Sequence, residues 1–204
     1  MIYPLRFYGD PVLRMKAKPI ADVHAQFTVP GFDPVHLGNL VQSMFDTMYE
    51  ARGVGLAAPQ VGLPIRLFVA AEYADDEDES EKDKPLRSKV LHEWVMVNPK
   101  IEFLTKRKDK SYQEGCLSIP GVYEEGVPRF QELRIHWQDL SGQSHSTEFG
   151  DYMARVMQHE NDHLNGKLFL DYLPVEIVQD YRKELSLLQR RSRKYLEDLK
   201  GKTK

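Results

Sequence analysis

The chain has 204 residues, of which 41% are hydrophobic and 29% charged, and its formal net charge is −3. This length favours one domain with a sizeable core, and the charge balance does not indicate nucleic-acid binding. The lone cysteine, Cys116, excludes a scaffold of intrachain disulfides. We expect one cytoplasmic domain over residues 1–204, because the sequence has no secretory signal and no apolar run of roughly 18 residues.

The first clear element is a predicted helix over residues 33–52. Asp33 followed by Pro34 predicts an N-cap with proline at the first helical position, and Gly53 can end the helix. Apolar residues recur three and four positions apart, as on one face of a helix, at Leu37, Leu40, Val41, Met44, Phe45 and Met48.

The middle of the chain predicts extended structure on either side of an acidic insert. Residues 65–71 and 94–103 predict two strands, the second interrupted at Pro99. Between them lies an insert at about 72–93, whose acidic run extends from Glu72 to Asp83. A dense run of one charge favours hydration over burial, so we expect a solvated surface loop here.

The second half of the chain predicts two strands followed by two helices. The strands cover residues 130–139 and 144–149, with Ser141 and Gly142 in the turn between them. One helix covers residues 150–166, and a C-terminal helix covers about 174–200. Strands before and between helices, joined by short turns, predict an α+β fold with antiparallel sheets.

The sharpest chemical signal is the segment His159-Glu160-Asn161-Asp162-His163. Residues four apart lie on one face of a helix, so both imidazoles can bind the same metal ion. Glu160 follows the first histidine and can reach a water at that metal as a general base. The segment predicts a hydrolytic metal site, and a chance match on a polar surface helix is the alternative.

Three residues compete for the role of third metal ligand, which such a site needs beside an open position. In metzincin proteases a third histidine follows, but that position holds Phe169, which cannot bind metal. In thermolysin-like proteases the ligand is a glutamate further along the chain, near the spacing of Glu184. Cys116 lies upstream, and its thiolate is the better ligand for a soft divalent ion.

Two further segments have unusual compositions. Cys116 follows Glu114 and Gly115, and these neighbours do not suit a plain core strand, although a buried inert cysteine is the alternative. Residues 53–60 read GVGLAAPQ, in which small residues clear space around the backbone and Gln60 can donate an amide hydrogen bond. A tight turn after the first helix is the alternative for this segment.

Together these segments resemble the three motifs of peptide deformylases, in the family's order. Residues 53–60 resemble GφGφAAxQ (φ is apolar), residues 114–118 resemble EGCφS, and residues 159–163 resemble HEφDH, although Asn161 replaces the usual apolar residue. The resemblance extends over residues 3–173, and the acidic insert is longer than in the shortest members. It implies antiparallel sheets packed around a central HExxH helix, with an N-terminal and a C-terminal helix.

The resemblance also implies an activity, namely hydrolysis of the N-formyl group from the N-terminal formylmethionine of newly synthesised polypeptides, with release of formate. Cys116, His159 and His163 would hold one divalent metal ion, and Glu160 would be the general base. Gln60 and the backbone N–H of Leu117 would meet the oxyanion. Fe²⁺ is the family's usual ion in cells, and the same donors suit Zn²⁺, Ni²⁺ or Co²⁺.

The implied substrate needs backbone access and an apolar pocket. Gly53 and Gly55 permit strand-like hydrogen bonding to an extended peptide. We expect the methionine pocket to be lined by Tyr152, Val156, Val54 and Leu56. Glu114 is expected to pair with Arg129 and to support the cysteine segment without taking part in the chemistry.

The expected partners are formylmethionyl nascent polypeptides, and we expect the protein to act as a monomer. The C-terminal helix carries a basic cluster that is either a solvated helix end or, as in some relatives, a ribosome contact: Arg190, Arg191, Arg193 and Lys194. Two other functions stay open. One is a thermolysin-like protease using Glu184, and the other is a non-catalytic metal- or peptide-binding module, for which Glu160 would have no use.

Overall fold

The computed structural model describes residues 1–74 and 85–202. The strands, in chain order, are β1 (Gln26–Phe27), β2 (Val35–His36), β3 (Gly55–Ala57), β4 (Leu67–Tyr73), β5 (Val90–Phe103), β6 (Lys108–Asp109), β7 (Glu114–Gly115), β8 (Tyr123–Glu124), β9 (Arg129–Phe130), β10 (Glu132–Gln138) and β11 (Ser144–Gly150). The α-helices are α1 (Leu37–Glu50), α2 (Asp151–Leu164), α3 (Val175–Asp180) and α4 (Arg182–Lys202). The predicted α+β fold with antiparallel sheets is confirmed.

The main sheet has the strand order β11-β10-β5-β4-β3, and each neighbouring pair is antiparallel. Successive side chains of a strand point to opposite faces, and β4 shows what this achieves. Leu67 and Val69 join the core cluster that contains α1, whereas Phe68 and Ala70 join the cluster that contains α2. The apolar run of β4 is therefore buried on both faces, with one helix on each side.

The first helix begins later than predicted. α1 starts at Leu37, and its N-cap is His36, without a side-chain capping bond. The expected N-cap at Asp33 is wrong because Val35 and His36 form β2, which pairs with Phe27 and Gln26 of β1. A local capping signal was overridden by pairing with an upstream strand.

The first helix also ends before the predicted glycine. Arg52, with φ +55°, takes the left-handed position, and its N–H donates to the Tyr49 carbonyl while Gly53 N–H donates to the Met48 carbonyl. These two bonds are the Schellman pattern that commonly ends helices. Glycine is the usual residue at the left-handed position, so an arginine there is notable.

The strand at Pro99 is bent without being broken. β5 runs through this position. Its register with β10 shifts between His136 and Gln138, which pair with Lys100 and Val97. Asn98, which lies between these two β5 residues, has φ +51°. The predicted interruption is therefore a bulge, which keeps a proline inside a strand.

The edges of the predicted insert belong to strands. Glu72 lies in β4, and residues 90–93 lie in β5, so the prediction of a loop over 72–93 is too wide at both ends. Most of its acidic run, residues 75–83, lies outside the described residues.

The C-terminal region contains two helices where one was predicted. α3 ends at Asp180, and Tyr181 separates it from α4 while donating a hydrogen bond from its hydroxyl to Glu124 (2.6 Å). α4 packs against the N-terminal segment, since the Ser192 hydroxyl donates to the carbonyls of Phe7 (2.8 Å) and Tyr8 (3.1 Å). Among the described residues, no helix combines the length and apolar character needed to cross a membrane.

Candidate metal centre and its cleft

The centre is formed by two histidines of α2 and one cysteine from a distant segment. His159 and His163 are one helical turn apart, with ring centroids 4.9 Å from each other. Cys116 follows β7, and its Sγ lies 3.2 Å from Nε2 of His163, 47 residues away along the chain. The potential ligand atoms of the three buried residues all lie within 4.8 Å of one another, so the fold brings together the three predicted ligands.

A buried ion network holds the first histidine in place. Oε1 of Glu114 lies 2.7 Å from Nδ1 of His159, which leaves Nε2 of that ring free to bind a metal. Arg129 binds both carboxylate oxygens of Glu114, at 2.5 and 3.1 Å, as predicted. Arg155 donates a third arginine hydrogen bond to this carboxylate at 3.0 Å. The two arginines therefore fix the carboxylate that orients His159.

Burial and mutual hydrogen bonds shift the pKa values of the buried groups in opposite directions. Burial alone would raise the pKa of Glu114, but His159 and then Arg129 hold it well below its usual range. Burial lowers the pKa of His159, but its hydrogen bonds to Cys116 and Glu114 outweigh that effect and raise it. Burial followed by the charge of His159 lowers the pKa of His163, which leaves a neutral imidazole able to bind metal.

Glu160 is held in the cleft beside a glycine. Its side chain is 3% exposed, and Oε2 has no hydrogen-bond partner among the described residues. Burial raises the pKa of Glu160 to about 7, although the charge of His159 opposes this. A Cβ at Gly55 would lie 2.3 Å from Oε1 of Glu160, so only glycine at this position leaves room for the carboxylate.

Gln60 lies beside the cysteine. Its Oε1 accepts from the backbone N–H of Ala57 at 2.7 Å, which fixes the amide. Its Nε2 donates to Oγ of Ser118 at 3.2 Å and lies 3.6 Å from Sγ of Cys116. Leu117 packs its side chain next to Gly53, where an added Cβ would meet Cδ1 at 2.6 Å. The first and second motifs therefore interlock at the centre.

The centre opens into a cleft of about 640 Å³. Val54, Tyr152 and Val156, expected to line the methionine pocket, are among the residues that line this cleft, and Tyr152 is 44% exposed. Leu56 does not line it, so that prediction is wrong. Successive side chains of β3 point to opposite faces of the sheet. Leu56 therefore joins the core cluster that contains α1, while Gly55 and Ala57 face α2.

The competing ligands from the sequence lie elsewhere. Glu184 is exposed on α4 and is not among the residues that line the cleft. Phe169 is buried, and its ring stacks on His159 with centroids 6.4 Å apart. Asn161 accepts a hydrogen bond from Arg66 at 3.3 Å, so the polar residue at this unusual position is satisfied by another side chain.

Two residues of the network were missed by the sequence analysis. Arg155 binds Glu114, and Asp162 accepts from Nη1 of Arg129 at 2.6 Å. Both side chains are buried although they are charged. Arg155 lies one turn before His159 and Asp162 lies three residues after it, so both are on the helical face of that histidine. This spacing was the signal that could have identified them.

The donor set fits one divalent transition-metal ion. Two imidazoles and a thiolate suit borderline and soft ions, and the three donors leave a further coordination position, as in hydrolytic sites. Among the described residues, these three side chains are the one group of His, Cys, Asp or Glu residues whose spacing suits a metal ion. Its burial and its ordered network match a site built for an ion.

Comparisons with known proteins agree with this geometry. Residues 2–176 match the polypeptide deformylase family. The peptide deformylase of Thermus thermophilus is 45% identical over 203 residues, covering 98% of both chains, and that of Chlorobaculum parvum is 39% identical over 194 residues, covering 93% of this chain and 89% of the relative. A crystal structure of peptide deformylase from Thermus thermophilus matches with a TM-score of 0.78 at 42% identity, over 94% of this chain and 99% of that one. A plant peptide deformylase matches at 0.74 and 36% identity, over 96% and 92%.

Proposed function

The chain belongs to the polypeptide deformylase family and removes the N-formyl group from newly synthesised polypeptides, and we propose that it does so at the cleft around Cys116, His159 and His163. The observation that carries this proposal is the meeting of these three buried donors within 4.8 Å, although Cys116 and His163 are 47 residues apart along the chain. We further propose that α2 is the central element around which the antiparallel sheets pack.

Cys116, His159 and His163 would hold the divalent ion, with Glu114 orienting His159 through Nδ1. When bound, the ion supplies Lewis-acid chemistry, which polarises a carbonyl and acidifies water. We propose Fe²⁺ as the ion in cells, because a thiolate with two imidazoles accommodates it, and the same donors accept Zn²⁺, Ni²⁺ or Co²⁺.

Glu160 and Gln60 are the proposed groups that act on the reacting atoms. The Glu160 carboxylate takes a proton from the attacking water and returns it to the leaving amine, and its free Oε2 supports this role. The Gln60 amide, fixed by its bond to Ala57, donates from Nε2 to the formyl oxygen as negative charge develops. The backbone N–H of Leu117 is the proposed second donor.

The substrate would lie along the edge formed by residues 53–55. Gly53 and Gly55 allow a peptide backbone to approach closely, and the methionine side chain would contact Val54, Tyr152 and Val156, which line the cleft. Arg129 and Glu114 keep the cysteine segment in place and do not touch the substrate. The three proposed ligands lie together within one chain, so the site needs no second copy, and we propose that the protein acts as a monomer.

We also propose the wider setting of the protein. Residues 1–204 would form one domain, because core clusters join the N-terminal segment to the sheet and α4 packs on that segment. The cytoplasm is the proposed location, since the substrates are newly synthesised polypeptides. The exposed basic side chains Arg190, Arg193 and Lys194 of α4 support a contact between this helix and the ribosome.

Formate release from formyl-Met-Ala-Ser by anaerobically prepared protein tests the activity. The wild type should release formate rapidly. Glu160→Gln should lower the rate by about 10²–10⁴-fold, because a general base is lost, while its metal content stays unchanged. No release from wild-type protein shown to carry Fe²⁺ would contradict the proposal.

Metal analysis of two variants separates this function from the thermolysin-like alternative. Cys116→Ala should lose most of its metal if the thiolate is a ligand, whereas a protease relying on Glu184 would keep it. Glu184→Gln is the matched control and should retain both metal and activity, because this side chain is exposed on α4.

A further inference from the structure

Two cationic side chains lie on the wall of the cleft. Arg52 and Arg191 both line it and both are exposed. In the part of the chain that the structure describes, neither forms an ion pair. Arg191 makes one close contact, its guanidinium lying 4.1 Å from the centre of the Phe7 ring. Such a contact leaves the guanidinium N–H groups available to an anion.

The other charged groups of the cleft already have roles. Glu114 and Arg155 bind each other and are buried, and His159 is bound by Glu114. Glu160 is 3% exposed, inside the reaction centre. Among the described residues that line the cleft, the accessible fixed charge is therefore positive and comes from these two arginines.

Arg52 holds its position at a conformational cost. Its φ of +55° is the left-handed conformation, which is strained for a non-glycine residue and which glycine adopts freely. Such outliers at the edge of a functional site point to a role for the side chain. Gly53, the next residue, is part of the proposed peptide-binding edge, so the Arg52 side chain leaves the backbone beside the substrate's path.

Arg191 is also held in place before any substrate arrives. It stacks on Phe7, whose carbonyl accepts from the hydroxyl of the adjacent Ser192 at 2.8 Å. Tyr8 N–H donates to the Ser118 carbonyl at 2.9 Å, which ties the same segment to the second motif. A cation fixed in this way loses little freedom when it binds an anion.

We propose that Arg52 and Arg191 form an acidic-residue subsite, which favours formylmethionyl polypeptides that carry an aspartate or glutamate downstream of the methionine. This inference rests on the proposed function of the cleft. The formylated N-terminus is neutral, so downstream side chains are the charges by which the cleft distinguishes one nascent chain from another. The metal centre performs the same reaction on each substrate, and the subsite sets relative efficiency.

The test compares pairs of peptides that differ at one residue, which is either glutamate or its uncharged isostere glutamine. Formyl-Met-Ala-Ala-Ala-Ala is prepared with glutamate or glutamine at the second, third or fourth position, and kcat/KM is measured from formate release. The wild type should prefer glutamate over glutamine at one or more positions, by about two- to fivefold for each ion pair formed. The preference should shrink as salt is raised toward about 1 M, because screening weakens exposed pairs.

Variants assign the preference to the two arginines. Arg52→Gly suits the backbone conformation and removes the charge, and Arg191→Gln removes the second charge at similar length. Each should reduce the glutamate preference, and the double variant should abolish it while glutamine peptides are still deformylated. Arg193→Gln, an exposed arginine of the same helix that does not line the cleft, is the matched control and should leave the preference intact.

The outcomes separate this inference from the proposed function. Equal rates for glutamate and glutamine peptides at all three positions would overturn the subsite while leaving deformylation established. A preference that survives in the double variant would also overturn the assignment to these residues. Failure to deformylate any peptide would instead contradict the proposed function.

Discussion

At the residue scale, the closest constraint in the cleft is between Gly55 and Glu160. The position that a Cβ would occupy at Gly55 lies 2.3 Å from Oε1 and 2.7 Å from Cδ of Glu160, far inside van der Waals contact. The glycine of the first motif is therefore required by the carboxylate of the third, in addition to any contact with substrate. Each motif restricts the other although they are distant in sequence.

Gly55→Ala should displace the Glu160 carboxylate and lower kcat. A shift of about 1 Å in a catalytic group can cost about 10²-fold, so we expect a loss of that order in formate release, with metal content unchanged. Gly38→Ala is the matched control, because a Cβ there meets no atom within 4 Å, and it should keep full activity. Wild-type turnover by the Gly55 variant would show that the carboxylate position does not matter.

Glu114→Gln should weaken metal binding and stability together. The change removes the charge that Arg129 and Arg155 both bind and that orients His159. Loss of such an orienting partner typically costs about 10–100-fold in metal affinity, and breaking a buried ion pair costs about 3–5 kcal/mol in unfolding free energy. Metal titration and denaturant unfolding measure the two effects.

Glu148→Gln provides the comparison at the surface. Glu148 pairs with Arg134, but its side chain is 60% exposed, so its loss should change the unfolding free energy by less than about 1 kcal/mol. Equal effects of the Glu114 and Glu148 substitutions would contradict a structural role for the buried network.

At the element scale, the end of α1 connects helix geometry to the cleft. The hydrogen bonds from Arg52 and Gly53 close the last turn, and Gly53 then enters the segment that lines the site. Tyr73 donates from its hydroxyl to the Gly53 carbonyl at 2.9 Å, so β4 holds this segment from the other side. The helix ending thus decides where the proposed peptide-binding edge begins.

Arg52→Gly should stabilise the fold although it removes a side chain from the cleft. Relief of the left-handed conformation gains about 1–2 kcal/mol, and the extra freedom of glycine in the unfolded chain takes back about 0.5–1 kcal/mol. We expect a net rise of about 1 kcal/mol in the unfolding free energy, measured with denaturant. Arg52→Lys keeps the conformational cost and should show no gain, and a fall in stability for the glycine variant would contradict this account of the helix end.

At the scale of the whole molecule, the site depends on two distant parts of the chain. The sheet positions α2, while the segments from β7 to β9 carry Cys116 and Arg129 to that helix. α4 reaches back to the N-terminal segment through Ser192, and Tyr8 of this segment is bonded to Ser118 beside the cysteine. The cysteine segment is therefore linked to α4 through the N-terminal segment.

Metal removal should consequently lower thermal stability. An ion that binds the folded state contributes about 2.7 kcal/mol at a concentration about 100 times its Kd, and each kcal/mol corresponds to about 2–4 °C in Tm at this chain length. We expect Tm to fall by about 5–10 °C after chelation and to recover on adding Ni²⁺. Cys116→Ala should show little difference between the two conditions, and a wild-type Tm independent of metal would contradict the coupling.

Local properties of the sequence were sufficient for much of this protein. The spacing of His159 and His163, the apolar period of α1 and the turn at Ser141 and Gly142 depend on neighbours a few residues apart, and the structure agrees with each. The three motifs also predicted the family, which the comparisons confirm. The pairing of Glu114 with Arg129, expected from the resemblance, is present as well.

Other features were decided by the tertiary structure alone. β1 pairing replaced the expected cap of α1, strand alternation turned Leu56 away from the cleft, and Tyr181 separated α3 from α4. Arg52 takes the left-handed conformation, although the adjacent Gly53 could adopt it at lower cost. Local propensity therefore does not explain the conformation of Arg52. These outcomes depend on contacts between segments far apart in the chain, whose free energy outweighs local preferences and leaves no periodic signal in the sequence.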